Sequence, residues 1–215
     1  MSTTVMSIPA TIIPDAETAP VPSARLLSSL YRMTVDRYDR LVEAGVLDDP
    51  KVELIQGLLV RKMSKNPPHV IATGRLFRLL DGLLPTGWHL RKEEPVRIPD
   101  FDEPEPDIAV VAGAIEDYLE SHPGPGNLAL LVEVAESSLD RDQHEKQSAY
   151  ARAGVPYYWI VNLIDRQVEV YADPRGGRYQ DCHIYPAGSE VPVVIAGVEV
   201  GRIAVDAILP PLQRS

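Results

Sequence analysis

The stretch LALLVEVA, residues 128–135, is apolar except for one carboxylate, Glu133. An apolar run of this length, bounded by the HPGPGN loop before it and the ESS turn after it, reads as a strand. Residues 107–111, DIAVV, read as a second such strand. After ESS the period changes from two to 3.6: Leu139, Asp142, Gln143, Lys146, Tyr150 and Ala153 share one face of a helix over residues 139–153. That face carries an acid and a lysine where core side chains would be expected.

The same patterning divides the rest of the chain. MTVDRYDRLVEAG predicts a helix capped by Thr34 and ended by Gly45, with Val35, Tyr38, Leu41 and Val42 on one face. KVELIQGLLVRK predicts a hairpin turning at Gln56 and Gly57. HVIATGRLFRLLDGLL predicts a helix offering Val70, Leu76, Leu79, Leu80 and Leu83 to the core. Residues 88–98 read as a strand, PDFDEPEP as an acidic loop, and Ile115 to Leu119 as a short helix. VPYYWIV, QVEVYAD, GRYQDCHIY and EVPVVIAGVEV are four further strand candidates. Residues 1–28, with Pro9, Pro14, Pro20 and Pro22 and no sustained periodicity, predict a flexible tail, and residues 29–215 one domain. The fold class is mixed α/β (α+β), with a central sheet and a β-rich C-terminal part.

Composition narrows the function classes. With 215 residues, 45% hydrophobic and 24% charged, the chain has the make-up of a soluble protein with one sizeable core. A formal charge of −10 argues against a diffuse basic surface and leaves room only for a local nucleic-acid site. Arg75, Arg78, Arg91 and Arg97 are available either to line a groove or simply as surface charge. One cysteine, Cys182, excludes a disulfide framework and a thiolate zinc cluster, which fits the cytoplasm. No membrane-spanning run and no phosphate loop, nucleophile elbow, zinc-protease helix or dinucleotide fingerprint is present.

The acid and lysine set remains. An ionised Glu133 among apolar neighbours calls for a cation or hydrogen-bond donors nearby. If the two apolar strands run antiparallel side by side, Asp107 at the start of one meets Glu133 near the end of the other. Helical side chains lean toward the helix N-terminus, so Lys146 is aimed back at both. Two carboxylates of this kind suit Mg2+, or Mn2+ in its place, and a lysine beside them suits the positioning of an attacking water in phosphodiester hydrolysis.

At these residues, PEPDIAVV, LLVEVAESSLDRDQHEKQSAYARAGVPYYWIVN and VEVY, the chain resembles the Uma-type restriction endonucleases, a branch of the PD-(D/E)XK nuclease superfamily. The resemblance runs from about Met33 to Leu209. It implies a restriction-endonuclease-like fold with the sheet flanked by helices, Asp107 and Glu133 as metal ligands, the Val134 carbonyl as a further ligand, and Lys146 as the catalytic lysine. The superfamily's usual lysine position, two residues after the acid, is Ala135 here, so the lysine has moved to the following helix. VELIQGLLV resembles the family's N-terminal acid motif and makes Glu53 a fourth catalytic candidate. Tyr157 and Asn162 stand where the family commonly carries acids. The implied substrate is DNA, with 5′-phosphate and 3′-hydroxyl products, and a homodimer follows by analogy for double-strand cutting.

Each residue also has a plainer reading. Asp107 could be a strand-start residue, Glu133 and Lys146 a structural ion pair, and Glu53 a solvent-facing hairpin residue. His69 and His144 read as partly exposed helix histidines near the groove, and Asp140 and Asp142 as first-turn acids favoured by the helix dipole. Tyr150 and Trp159 read as core. A nuclease fold serving only as a binding or assembly module, and a metal-free sugar hydrolase built on two carboxylates, are the rival functions.

Overall fold

Strands β4 (Ile108–Ala112) and β5 (Leu128–Ala135) lie side by side and antiparallel in a computed structural model that describes residues 26, 29–47 and 51–211. Residues Arg32–Ser215 form one compact unit, and of the other, Met1–Tyr31, only Leu26 and residues 29–31 are described. The segment 1–28, predicted as a tail, lies outside the described residues apart from Leu26.

The chain opens with α1 (Val35–Glu43), the β1–β2 hairpin (Val52–Ile55 and Leu58–Arg61), α2 (Pro67–Asp81) and β3 (Trp88–Arg91). After β5 comes α3, built from Leu139–Arg141, a π-helical turn Asp142–Lys146, and Gln147–Ala153. Strands β6 (Tyr157–Asn162), β7 (Gln167–Arg175) and β8 (Arg178–Pro186) follow, then the hairpin β9 (Glu190–Ile195) and β10 (Val198–Ala204), and α4 (Val205–Ile208). The main sheet has six strands in the order β3-β4-β5-β6-β7-β8, antiparallel throughout except for the parallel β5–β6 pair that α3 connects. It is a mixed sheet within an α+β architecture.

Both faces of the sheet are covered, which explains the unbroken apolar character of β5, whose eight residues are all buried. Val132, Val134 and Trp159 face a core completed by Ala72, Leu76 and Leu80 of α2 and by the β9–β10 hairpin. Leu131, Ala135, Tyr158 and Ile160 face a second core completed by Tyr150 of α3 and by Val96 and Ile98. Edge strand β8 is largely exposed and carries Cys182. Among the described residues no helix is long and apolar enough to cross a membrane.

Several element boundaries differ from the sequence reading. EVPVVIAGVEV is a hairpin rather than one strand, because Ala196 and Gly197 both take positive φ, 50° and 79°, and reverse the chain. The strand predicted over 88–98 stops at Arg91; Glu93 takes a φ of 56° and Pro95 offers no N–H. Helix α2 starts two residues before His69, at Pro67, because Asn66 caps it by accepting from the His69 N–H at 3.0 Å. Its buried stripe is Ala72, Thr73, Leu76 and Leu80, while Val70 is exposed. In α1 only Val35 is buried, and Thr34 sits at the cap position without a side-chain capping bond.

The β1–β2 turn forms at Gln56 and Gly57 as predicted, with φ of 51° and 74°. Here glycine is required twice over, since a Cβ at Gly57 would lie 2.7 Å from Arg32 Cβ and 3.0 Å from the Met33 carbonyl oxygen. Gly45, with a φ of 65°, has nothing within 4 Å of that position. Gly57→Ala is therefore expected to cost about 2–4 kcal/mol, conformational strain plus overpacking, against about 1 kcal/mol for Gly45→Ala. Thermal or urea denaturation of the two variants side by side checks this order.

Candidate active site

The β4–β5 register pairs Ile108 with Val132, so one step further Asp107 stands across from Glu133 at the same end of the sheet. The backbone holds Asp107 there. The Val134 N–H donates to its Oδ2 at 2.7 Å, and the Glu93 N–H meets the carbonyls of Pro106 and Asp107 at 3.2 and 3.3 Å. On the same sheet face as Leu131 and Ala135, Glu133 points toward α3, where Lys146 Nζ reaches its Oε1 at 2.9 Å. Glu53 enters from β1, with its Oε2 3.5 Å from Lys146 Nζ and accepting from the Glu105 N–H at 3.2 Å.

The structure thus brings all four sequence candidates, Glu53, Asp107, Glu133 and Lys146, to one place. They are 2, 6, 4 and 6% exposed and line one end of a cleft of about 480 Å3. Glu53 is not the solvent-facing residue that its hairpin position alone suggests, because the bridge from Leu54 to Glu103 packs β1 against the acidic loop.

Three further residues join them. Asp142, read from sequence as a dipole-favoured first-turn acid, is 2% exposed and lines the cleft. Asp142 lies four residues before Lys146 and so shares its inward face; the turn between them is π-helical, the Gln147 N–H reaching back five residues to the Asp142 carbonyl. His69, in the first turn of α2, places Nε2 3.1 Å from Asp107 Oδ2. Tyr150, read as core, is buried and also donates its hydroxyl to Glu133 Oε1 at 2.9 Å. The shared stripe Asp142–Lys146–Tyr150 was the available signal for two of these; nothing in sequence linked His69 to Asp107.

Other candidates lie elsewhere. His144 points out to Asp140, and both are exposed. Arg75 donates to the Leu209 carbonyl, Arg91 pairs with Glu94 and Arg97 with Asp36 and Asp39; with Arg78, they are not among the cleft-lining residues. Asn162 is buried and donates to Glu169 Oε1 at 2.9 Å. Glu169 also accepts from Gln143 of α3 and from Tyr171, which ties the site helix to β6 and β7. Sequence reasoning had no signal for this buried carboxylate beyond the apolar neighbours in VEVY.

The electrostatics are lopsided. Four buried acids, Glu53, Asp107, Glu133 and Asp142, share the cleft with one buried ammonium. Burial works against the charge of Lys146, but Glu133, Glu53 and Asp142 outweigh it and raise its pKa, so the amine stays protonated. Burial also lifts the Glu133 pKa well above the carboxylate range; Lys146 opposes this, while Asp142, Asp107 and Glu53 add to it. These two shifts pull against each other, since the rise at Lys146 depends on a charged Glu133. We take the ammonium as the fixed charge, because three acids surround it, and Glu133 as the acid that gains a proton when cations are short. At Asp107 burial is outweighed by His69, the Val134 N–H and Lys146, and the pKa is lowered.

A divalent cation fits this donor set in part. Among the described residues the hydrogen bonds to these acids fall on Asp107 Oδ2, Glu133 Oε1 and Glu53 Oε2, which leaves the second oxygen of each for other partners. Among the described residues no group of three or more His, Cys, Asp or Glu side chains converges as a complete metal cage, so a cation held by Asp107 and Glu133 would keep water in its remaining positions.

The charge excess has a consequence for stability. Burial raises the Asp142 pKa from 3.8 to about 6, so between these values the folded state binds more protons than the unfolded one. Stability should fall as pH rises through that window. Asp142→Asn removes this penalty, so its advantage over the parent chain is expected to grow between pH 4 and pH 7 by about 1–3 kcal/mol. Melting temperatures of both proteins across that range are the check.

A crystal structure of a "putative nuclease belonging to DUF820" from Anabaena variabilis aligns with this chain at a TM-score of 0.60 and 16% identity, covering 82% of this chain and 97% of that one. Likeness at that identity speaks to the fold, which is nuclease-like. No curated protein matches the chain. The model of the Uma2 family, described as "Putative restriction endonuclease", matches residues 35–205. The chain therefore belongs to the Uma2 family of restriction-endonuclease-like proteins.

Proposed function

We propose that this protein is a divalent-cation-dependent endonuclease that hydrolyses phosphodiester bonds in DNA. The observation that carries this reading is the excess of buried carboxylate over ammonium at the cleft floor: an inert ion pair needs one acid for Lys146, whereas Glu133, Glu53 and Asp142 act on it and Asp107 stands across from Glu133 as a fourth. Asp107 and Glu133 would hold Mg2+, or Mn2+ in its place, with the Val134 carbonyl as a further ligand. When bound, the cation supplies positive charge against the charge growing on the phosphate and lowers the pKa of a bound water.

The chain's own residues do the rest. The Val134 N–H and His69 fix Asp107 in orientation, and Tyr150 does the same for Glu133. Lys146, held as an ammonium, donates a hydrogen bond to the attacking water and offsets negative charge on the nonbridging oxygens. Glu53, 3.5 Å from the Lys146 ammonium, orients the water. Water's oxygen bonds to phosphorus and gives up a proton as the bond to the 3′ oxygen breaks, and the departing 3′ oxygen takes up a proton, giving a 5′-phosphate and a 3′-hydroxyl.

The 2.9 Å Lys146–Glu133 contact is what a nuclease fold reduced to a binding or assembly module would also keep. Nicking of supercoiled plasmid separates the two. Activity should require Mg2+, vanish with chelator, and fall at least ~100-fold in Asp107→Ala and in Lys146→Ala variants that retain a cooperative melt. Undiminished nicking in those variants would exclude this mechanism, and a parent chain without cation-dependent nicking would favour the inert module.

A further inference from the structure

Floor and rim of the cleft carry different charge. The floor holds the four acids around Lys146; the rim carries Lys62 and Lys65, on the segment between β2 and α2, and Arg141 in the first turn of α3. Neither rim lysine is buried in its contacts. Lys62 Nζ lies 2.6 Å from Glu105 Oε2, with side chains 25 and 23% exposed, and Lys65 Nζ 2.6 Å from Glu93 Oε2, with side chains 38 and 35% exposed. Ion pairs this exposed contribute little, so a phosphate oxygen can take over either lysine at small cost. Arg141 commits Nη1 to the Arg61 carbonyl at 3.1 Å, which braces the helix start against the β1–β2 hairpin.

We propose that Lys62, Lys65 and Arg141 grip consecutive phosphates of a single nucleic-acid strand, and that the cleft takes one strand at a time rather than an intact duplex. This rests on the nuclease reading and goes beyond it by naming the strand state of the substrate and the residues that hold it.

Two observations favour a single strand. The first is charge. A protein that grips duplex DNA typically neutralises roughly 6–10 phosphates. Here the net charge is −10, and outside its floor the cleft is lined by four cations, Lys51, Lys62, Lys65 and Arg141, with two acids, Glu93 and Glu105, a balance that suits a short stretch of one strand. The second is depth. The acids and Lys146 are at most 6% exposed at the floor of a cleft of about 480 Å3, a volume equal to a cube of roughly 8 Å edge. A rigid duplex presents its backbone to such a cleft one phosphate at a time, whereas an unpaired strand can follow the floor and the rim cations together.

Grip by phosphate also sets selectivity. Among the described residues no aromatic side chain lines the cleft, so base stacking adds nothing and binding should be indifferent to sequence and sensitive to salt. The exchange of Glu105 for phosphate on Lys62 gives the acid a definite role, since it holds the lysine in place and competes with substrate. A single cut in one strand needs only one such cleft.

Binding separates this proposal from catalysis. Fluorescence anisotropy of a labelled mixed-sequence 12-nucleotide strand and of the same sequence as a closed hairpin duplex would be measured with the full chain, in Ca2+ in place of Mg2+. The strand should bind at least tenfold tighter than the duplex, with a log–log salt slope near −2, about −0.7 for each of three phosphates. Lys62→Ala combined with Lys65→Ala should weaken strand binding at least tenfold and flatten the slope by about 1.4, with an unchanged melt. Glu105→Gln should tighten binding by freeing Lys62. Equal or tighter duplex binding, no strand binding, or a double variant that binds as the parent does would each overturn the proposal. Cleavage of the same unpaired strand is read in parallel with Mg2+: rim-dependent strand binding without cleavage would sink the nuclease reading and leave this one standing, while cleavage untouched by the rim variants would do the reverse.

Discussion

One buried ammonium balances more negative charge than it can neutralise, and the architecture around it exists to keep that imbalance in place. Lys146 sits 2.9 Å from Glu133 and 3.5 Å from Glu53, with Asp142 and Asp107 also acting on the cluster. Removing two ions from water is costly even when they pair well, and leaving extra carboxylates beside them costs more. The sheet tolerates this because both its faces are otherwise packed with aliphatic and aromatic side chains, and the unbalanced site is confined to the strand ends.

Helix α3 is the element under most constraint. Asp142 and Lys146, four residues apart, share its inward stripe across a π-helical turn, and both are buried. The turn is anchored from behind. Gln143 donates to both oxygens of Glu169 at 3.1 and 3.0 Å, the Asp142 carbonyl accepts from the Tyr158 hydroxyl at 3.1 Å, and Tyr150 reaches Glu133. Burial works against the charge of Glu169, but bonds from Asn162, Gln143, Tyr171 and Gln167 outweigh it and lower its pKa. Asn162 thus belongs to a network that positions α3 from outside the cleft.

How much of this could be read from the chain follows from what each contact depends on. Asp107 and Glu133 were legible because each interrupts or borders an apolar run, and an antiparallel pairing of those runs places them together. Lys146 was legible from its spacing to Tyr150 on a buried stripe. Asp142 lay on the same stripe, but its place at the start of a helix also allowed a dipole-favoured surface acid. Glu53 and His69 were not settled by spacing, since a bridge between Leu54 and Glu103 covers β1 and the Asn66 cap sets where α2 begins and hence where His69 points. The β9–β10 hairpin was missed for a different reason. Its turn uses alanine followed by glycine, and alanine at positive φ carries no signal that composition can reveal.

The plain reading of Glu133 and Lys146 as a structural pair meets its difficulty in Asp107. If stability alone shaped the site, the inexpensive arrangement would be one acid for one amine with apolar neighbours, or no charges at all. Asp107 instead is held charged by the Val134 N–H and His69 while facing the same cleft as Glu133, and Lys146 makes its shortest contact with Glu133 rather than with Asp107. Backbone and side-chain donors are thus committed to keeping ionised a carboxylate that the ammonium does not need. That commitment adds repulsion to the cluster, and a bound cation is the species that turns the repulsion into attraction.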